Sequence, residues 1–98
     1  MRKKHKLIFT SGANANILKA YEYYENAQKD LGDYFLASME NCIIHIDSNP
    51  EIYKAIYKDF RQAKVKRFPY VVIFRINNSE IIIDNVFNTY QNPIKKIR

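Results

Sequence analysis

Apolar side chains recur at helical spacing in two consecutive stretches of the chain. In residues 13–28, Ile17, Tyr21 and Tyr24 lie four and three positions apart, which places them on one face of a helix. A second helix is predicted from residue 31 or 33 to residue 47, and its apolar seam consists of Phe35, Met39, Cys42 and Ile46. Because only a short segment containing a glycine separates the two helices, the pattern predicts an αα-hairpin.

Four other segments have the character of strands. Residues 6–10 contain a short apolar run, and residues 70–76 are almost continuously β-branched or aromatic. An Asn-Asn-Ser turn then leads into an apolar strand at residues 80–88. With a further strand at residues 60–67, the predicted order is β-α-α-β-β-β. This order indicates an α+β domain whose helical hairpin packs on a largely antiparallel four-stranded sheet.

Residues 60–67 alternate in the manner of a strand with two different faces. The pattern assigns Arg61, Ala63, Val65 and Arg67 to one face, and Gln62, Lys64 and Lys66 to the other. The preceding residues 51–58 fit either a short helical turn or an irregular link. If the second face is exposed, it forms a cationic row that can bind phosphate groups. Lysines on an edge strand also prevent unwanted pairing, and the sequence favours neither interpretation.

The composition indicates a small, basic, folded protein. The 98 residues fit one domain spanning residues 1–98, and 16 Lys and Arg against 10 Asp and Glu give a net charge of +6. This excess favours an acidic partner, either nucleic acid or an acidic protein segment, although it also serves solubility. The single cysteine excludes an internal disulfide. Since no apolar run has the length of a signal peptide core or a membrane-spanning helix, a cytoplasmic location is expected.

Motifs for metal, cofactor or covalent chemistry cannot be recognised in the sequence. His5, His45 and Cys42 lack the spacing of metal ligands, and there is no glycine-rich phosphate loop or nucleophile–base frame. We therefore expect neither a metal nor a cofactor. Cys42 lies on the apolar seam, so we interpret it as a buried thiol with His45 at the surface nearby. The more informative feature is the basic run of Lys58, Arg61, Lys64, Lys66 and Arg67.

Several segments together resemble the RelE/ParE superfamily of type II toxin–antitoxin toxins. The similarity is strongest in residues 65–76, where an Arg-Phe-Pro-Tyr sequence precedes an apolar strand. Further similarity extends over nearly the whole chain, at residues 6–10, 21–24, 31–35, 49–50 and 86–93. The β-α-α-β-β-β order is also the order of this superfamily.

The resemblance implies a bacterial growth inhibitor that is neutralised by a cognate antitoxin, which we expect to be acidic. Members similar to ParE bind DNA gyrase and stall it on cleaved DNA, and they are not enzymes. Members similar to RelE cut messenger RNA in the ribosomal A site without a metal. The first group is favoured here, because Gln62 and Val71 stand where the nucleases carry cations that stabilise the transition state.

The residues expected to contact the target or the antitoxin are mostly basic. They are Arg61, Lys64, Lys66, Arg67, Tyr90, Lys95 and Lys96. If the chain is a nuclease instead, the resemblance implies a catalytic set of Lys64, Lys66, Arg67 and Tyr90, in which the tyrosine assists proton transfer. Departures from the family pattern at Asn88, Tyr90 and Asp84-Asn85 allow a third hypothesis, an attenuated toxin that retains only antitoxin binding.

Overall fold

A computed structural model describes residues 5–89 of the chain. Its elements in chain order are β1 (Lys6–Phe9), α1 (Ser11–Ala27), α2 (Leu31–Ser48), a 3₁₀ turn (Pro50–Ile52), β2 (Ala55–Tyr57), β3 (Phe60–Lys64), β4 (Tyr70–Asn77) and β5 (Glu80–Asn88). The strands form one sheet in the order β1-β5-β4-β3-β2. The β1–β5 pair is parallel and the other pairs are antiparallel. The predicted α+β class and the helical hairpin are confirmed.

The prediction of four strands was wrong by one, because the ambiguous residues 51–58 contain strand β2. This strand has three residues, too few to show the alternation by which a strand is recognised in a sequence. It pairs with β3 through a tight turn in which Lys58 has a positive φ of 50°. Glycine or asparagine usually occupies such a position, so the sequence lacks the ordinary signal for a hairpin here.

Strand β3 is shorter than predicted and ends at Lys64 instead of residue 67. The chain then turns, with the Val65 N–H donating to the Tyr70 carbonyl at 3.0 Å and Arg67 in the left-handed region at a φ of 72°. The proline two positions further on has no N–H to give to a sheet ladder, which opposes continuation of the strand. Lys66 and Arg67 therefore lie in a turn and do not extend either face of β3.

The two helices pack on one face of the sheet, with an aromatic cluster in the interface. Phe35 of α2 is fully buried, and its ring centroid lies 5.4 Å from Tyr24, 5.3 Å from Phe68 and 5.2 Å from Tyr70. Phe68 belongs to the turn after β3, so its ring anchors that turn, and the cations on it, against the helices. Other buried members of this core include Ala13, Ala20, Met39, Ile46, Val72, Phe74, Ile81, Ile83 and Val86.

Strand β4 is buried on both faces. Val72 and Phe74 belong to the core under the helices, whereas Val71 and Ile73 form a second apolar cluster with Phe87. Successive side chains of a strand point to opposite faces, so this double burial explains why residues 70–76 are almost continuously apolar. The interpretation of this segment as a central strand is confirmed, since two strands lie on each side of it.

The polar residues Asp84 and Asn85, which depart from the family pattern, have specific partners in the fold. The β4–β5 ladder shifts its register at this point, which leaves Asp84 as an extra, bulged residue. Its carboxylate accepts hydrogen bonds from Arg75 at 2.8 and 3.3 Å, and its carbonyl accepts one from the Thr10 hydroxyl at 2.8 Å. The Asn85 side chain accepts a hydrogen bond from the Asn16 amide at 2.6 Å. Both residues thus connect β5 to neighbouring elements.

Glu25 fixes the connection between the two helices. Its carboxylate accepts hydrogen bonds from the backbone N–H groups of Asp30 and Gly32, both at 3.0 Å. These donors lie at the start of α2, where backbone N–H groups have no partner within the helix. A Cβ added to Gly32 would lie 2.7 Å from the Tyr21 ring, so the glycine allows the helices to approach closely. In the described part of the chain, no helix is long and apolar enough to cross a membrane.

Replacing Gly32 with alanine is expected to lower the free energy of unfolding by about 1–3 kcal/mol, the typical cost of forcing a methyl group into a packed site. The Tyr21 ring and the Glu25 carboxylate, 2.9 Å from the new Cβ, would have to move. Gly12→Ala is the matched control, because the nearest atom to its Cβ is 3.9 Å away. Alanine is the better helix former, so this control should keep or gain stability. Urea denaturation measures both variants, and equal losses would contradict the proposed helix contact.

Candidate functional site

Charge is distributed unevenly between the helical hairpin and one border of the sheet. Residues 54–67 contain six Lys and Arg against one Asp, a net charge of +5, whereas residues 11–48 contain two Lys against six Asp and Glu, a net charge of −4. Residues 54–67 comprise β2, β3 and the turn after β3, and they are referred to below as the basic edge. Since β2 is the outermost strand, this positive potential faces outward from one border of the sheet.

Most cations of the basic edge are available to a partner. Five side chains are exposed: Lys54, Lys58, Lys64, Lys66 and Arg67. Within residues 5–89, the ion pairs with carboxylates are His5–Asp47 and Arg75–Asp84, and both lie outside the basic edge. An anionic partner therefore does not have to displace a carboxylate of the described chain from these cations.

Arg61 has a structural environment that differs from the other cations of the basic edge. It is partly buried, and its Nη1 donates to the backbone carbonyls of Tyr53 at 2.7 Å and Glu51 at 3.3 Å. The guanidinium thus fastens the segment before β2 onto β3. Arg61 supports the shape of the basic edge, while the exposed lysines carry its accessible charge.

The structure brings together some of the predicted contact residues. Lys64, Lys66 and Arg67 lie within four consecutive positions, at the end of β3 and in the turn that Phe68 anchors. The remaining predicted contact residues, Tyr90, Lys95 and Lys96, lie outside the described residues.

A cavity of about 200 Å³ lies between helix α2 and the basic edge. Its helical wall is formed by residues 38–45 of α2, and its other wall by Tyr53, Lys64 and Lys66. The lining residues are Ser38, Asn41, Cys42, His45, Tyr53, Lys64 and Lys66. Among the described residues, no carboxylate lines it. Ala63 and Val65 face the helices, so the Lys64 side chain points to the other face of the sheet, and its backbone carbonyl faces the cavity. Lys66 shares this small cavity with five further groups that can form hydrogen bonds.

The protonation states in this cavity follow from geometry and burial. The His45 Nδ1 lies 2.8 Å from the Asn41 carbonyl, which only accepts, so Nδ1 carries the hydrogen that it donates there. Burial raises the pKa of the Cys42 thiol to about 11, and its Sγ donates to the Lys64 carbonyl at 3.6 Å. Burial also raises the pKa of the Tyr53 hydroxyl, as does the Cys42 thiolate. At neutral pH both groups are uncharged, and the interpretation of Cys42 as a buried thiol is confirmed.

The sequence contained a partial signal for this cavity. Ser38, Asn41 and His45 are three and four positions apart on α2, so they share one helix face beside the apolar seam. Tyr53 had no comparable signal, because it lies in the segment whose secondary structure was ambiguous. The position of Tyr53 opposite helix α2 in the cavity depends on tertiary packing.

A helical hairpin packed on a mostly antiparallel sheet is the fold that the resemblance to RelE/ParE-type toxins predicts. The sequence profile described as "ParE toxin of type II toxin-antitoxin system, parDE" matches residues 7–93. The chain therefore belongs to the ParE toxin family. It is a toxin of the type II toxin–antitoxin class, for which the family implies a cognate antitoxin as partner.

Solved structures share this fold. One is the "Chromosomal ParDE TA system from P. aeruginosa", with a TM-score of 0.76 and 16% identity over 87% of this chain and 96% of that chain. Another is YafQ from E. coli strain BL21(DE3), with a TM-score of 0.55 and 9% identity over 88% of this chain and 94% of that chain. Among the curated proteins, no sequence matches. At these identities the two structures establish a common fold, and the family assignment comes from the sequence profile.

Proposed function

We propose that this toxin inhibits DNA gyrase and that the basic edge contacts the complex of gyrase with DNA. The match of residues 7–93 to the ParE family carries the proposal. The net charge of +5 on the basic edge supports it, because a cluster of exposed cations is attracted to the phosphates of bound DNA. Inhibition of this kind stalls an enzyme on its substrate and requires no catalytic group in the toxin.

The supercoiling reaction of purified gyrase tests this proposal. Relaxed plasmid, gyrase and ATP are incubated with an increasing molar excess of the toxin, and the topoisomers are separated on a gel. We expect supercoiling to disappear, while relaxation by a type I topoisomerase in a parallel reaction continues. Unchanged supercoiling at a large excess of folded toxin would contradict gyrase as the target.

One observation favours messenger RNA cleavage as a second candidate function. His45, Tyr53 and Lys66 line the same cavity, and together they provide a base, a neutral hydroxyl donor and a cation. Metal-independent cleavage of RNA needs groups of these kinds. Primer extension on messenger RNA from growth-arrested cells would detect cuts in the ribosomal A site. Intact transcripts in arrested cells would eliminate this candidate.

We place the antitoxin on an apolar groove at the opposite border of the sheet. The groove has a volume of about 290 Å³ and lies between β1 and the helices, and both Leu36 and Ile44 in its wall are more than one-third exposed. The outer edge of β1 has no strand beside it in the described sheet, so a strand of the partner can pair there. An amphipathic antitoxin segment would place its apolar side in the groove.

The variant Leu36→Glu is expected to weaken antitoxin binding by at least about tenfold, because it puts a charge into a desolvated apolar contact. The side chain is 38% exposed, so the free toxin should still fold. Ile52→Glu is the matched control, since Ile52 is 68% exposed and does not line the groove. Calorimetric titration with the cognate antitoxin measures both affinities. Equal affinities for the two variants would place the antitoxin elsewhere.

A further inference from the structure

We infer that residues 90–98 fold back over the face of the sheet opposite the helices and pack on its apolar cluster. This face is referred to below as the open face, and its cluster consists of Val71, Ile73 and Phe87. The contact lies within one chain, so it does not depend on the identity of the toxin's target.

The cluster is buried although the described elements provide no layer above it. Val71 is 3%, Ile73 1% and Phe87 3% exposed. Both helices belong to the core on the other face of the sheet. Ile56 and Phe60 pack against the cluster, but they lie on strands of the same sheet and therefore flank it. Because an antiparallel sheet face without a second layer stays in contact with water, another segment has to cover these side chains.

Full burial is found at one end of the open face. Ile82 points to the same face as the cluster, because Ile81 and Ile83 on either side of it belong to the core under the helices. Like Ile73, it lies on a strand with a neighbour on each side. Ile82 is nevertheless only partly buried, whereas Ile73 is almost completely buried. The covering segment therefore lies over Ile73 and leaves Ile82 partly open.

The chain leaves β5 at this buried end of the open face. Phe87 pairs with Val71, and the Thr89 N–H donates to the Pro69 carbonyl at 2.6 Å. The residues that follow Thr89 therefore start beside the cluster. Ile73 lies four positions along the chain from Pro69, about 13 Å at strand spacing. A segment of nine residues spans up to about 30 Å, so it reaches the whole cluster even after it reverses direction.

The amino-terminal residues are less suited to cover the cluster. Lys6 pairs with Glu80, which is seven positions, or about 24 Å, along β5 from Phe87. The His5 N–H donates to the Asp47 carboxylate at 2.8 Å, and this bond holds the start of the chain against helix α2. The first four residues are Met, Arg, Lys and Lys, so they offer one apolar side chain and three cations.

Residues 90–98 have the sequence of a short amphipathic segment. Ile94 and Ile97 are three positions apart and follow Pro93, a residue that favours the first turn of a helix. In such a turn the two isoleucines share one face, and the two lysines between them point away from it. The isoleucines match the cluster, and the lysines match the surrounding water.

Docking of this segment would enlarge the cationic surface of the molecule. The Lys64 side chain points to the open face, because Ala63 and Val65 belong to the core under the helices. Lys64 also pairs with Val71 of the cluster, and it is exposed. A segment packed on Val71 adds its own lysines to this side of the sheet, next to the charge of the basic edge.

Nuclear Overhauser spectroscopy on the full chain, with labelled isoleucine and valine methyl groups, tests the inference. We expect cross peaks that join the methyl groups of Val71 and Ile73 to those of Ile94 and Ile97. The variant Ile94→Asp/Ile97→Asp should shift the Val71 and Ile73 signals and leave the Ile82 signal in place. It should also increase the binding of ANS, a dye that reports exposed apolar surface.

The matched control is Gln91→Asp/Asn92→Asp. It adds the same negative charge to the same segment and keeps both isoleucines. We expect the cross peaks and the binding of ANS to stay as in the unaltered chain. Equal changes in the two variants would contradict an apolar contact, because they would follow from charge alone.

Absence of cross peaks from the cluster to Ile94 and Ile97 would overturn the inference. In that case, Val71 and Ile73 signals that move with protein concentration would assign the cover to a second copy of the chain. Signals that move only when the cognate antitoxin is added would assign it to the antitoxin. Intact cross peaks in a chain that leaves gyrase unaffected would retain the docked segment and reject the proposed target, so the two failures are distinguishable.

Discussion

The variant Lys64→Glu/Lys66→Glu/Arg67→Glu is expected to require at least about tenfold more protein for half-inhibition of gyrase than the unaltered toxin. These three cations lie at the end of β3 and in the turn after it, and their side chains are exposed. Their reversal changes the basic edge from a net charge of +5 to −1, so it would repel DNA phosphates. Growth arrest on expression should be lost in parallel.

A control variant with the same net charge separates the effect of where the cations lie from the effect of the overall charge. Lys6→Glu/Lys19→Glu/Lys29→Glu also reverses three exposed cations and also brings the chain from +6 to 0, but none of the three lies on the basic edge. We expect this control to inhibit gyrase within about threefold of the unaltered toxin, because long-range attraction alone changes modestly at physiological salt. Circular dichroism verifies that both variants are folded. If both lose inhibition equally, the basic edge has no special role.

Replacing Phe35 with alanine is expected to lower the free energy of unfolding by about 3–5 kcal/mol. Phe35 has no exposed surface, and its ring contacts Tyr24, Phe68 and Tyr70. Truncation leaves a cavity where the helices meet the sheet and removes the ring against which the turn after β3 is anchored. Since small domains have about 5–15 kcal/mol of stability in total, a large fraction of this variant should be unfolded in mild denaturant.

The neighbouring residue provides the control for this loss. Tyr34 precedes Phe35 on the same helix but is 66% exposed, so Tyr34→Ala should change stability by no more than about 0.5 kcal/mol. Urea denaturation followed by circular dichroism compares the two variants. A loss of less than 1 kcal/mol for Phe35→Ala would contradict the central position of this ring in the core.

The helices were predictable because their burial follows directly from periodicity. The seam of Phe35, Met39, Cys42 and Ile46 is buried throughout, and the apolar run of β4 is explained by cores on both faces of the sheet. Strand β2 was not predictable, because three residues carry no readable period and the turn at Lys58 uses a residue that rarely adopts a positive φ. Its formation depends on pairing with β3, which is a tertiary interaction.

The candidate site was predictable in its charge but not in its shape. The sequence indicated Lys64 and Lys66 as cationic contacts, and the structure finds both exposed beside a cavity. The bonds of Arg61 to the carbonyls of the preceding segment could not be anticipated, because they require the path of the chain through the 3₁₀ turn. The inclusion of Tyr53 in the cavity depends on the same path.

The measurement that tests the central claim most directly is the amount of gyrase trapped on cleaved DNA. Purified gyrase and plasmid are incubated with the toxin, the protein is denatured, and linear plasmid is quantified on a gel. We predict that linear DNA accumulates with the unaltered toxin and that an equimolar amount of cognate antitoxin added beforehand prevents it. Absence of linear DNA at a large excess of folded toxin that still arrests growth would contradict the account.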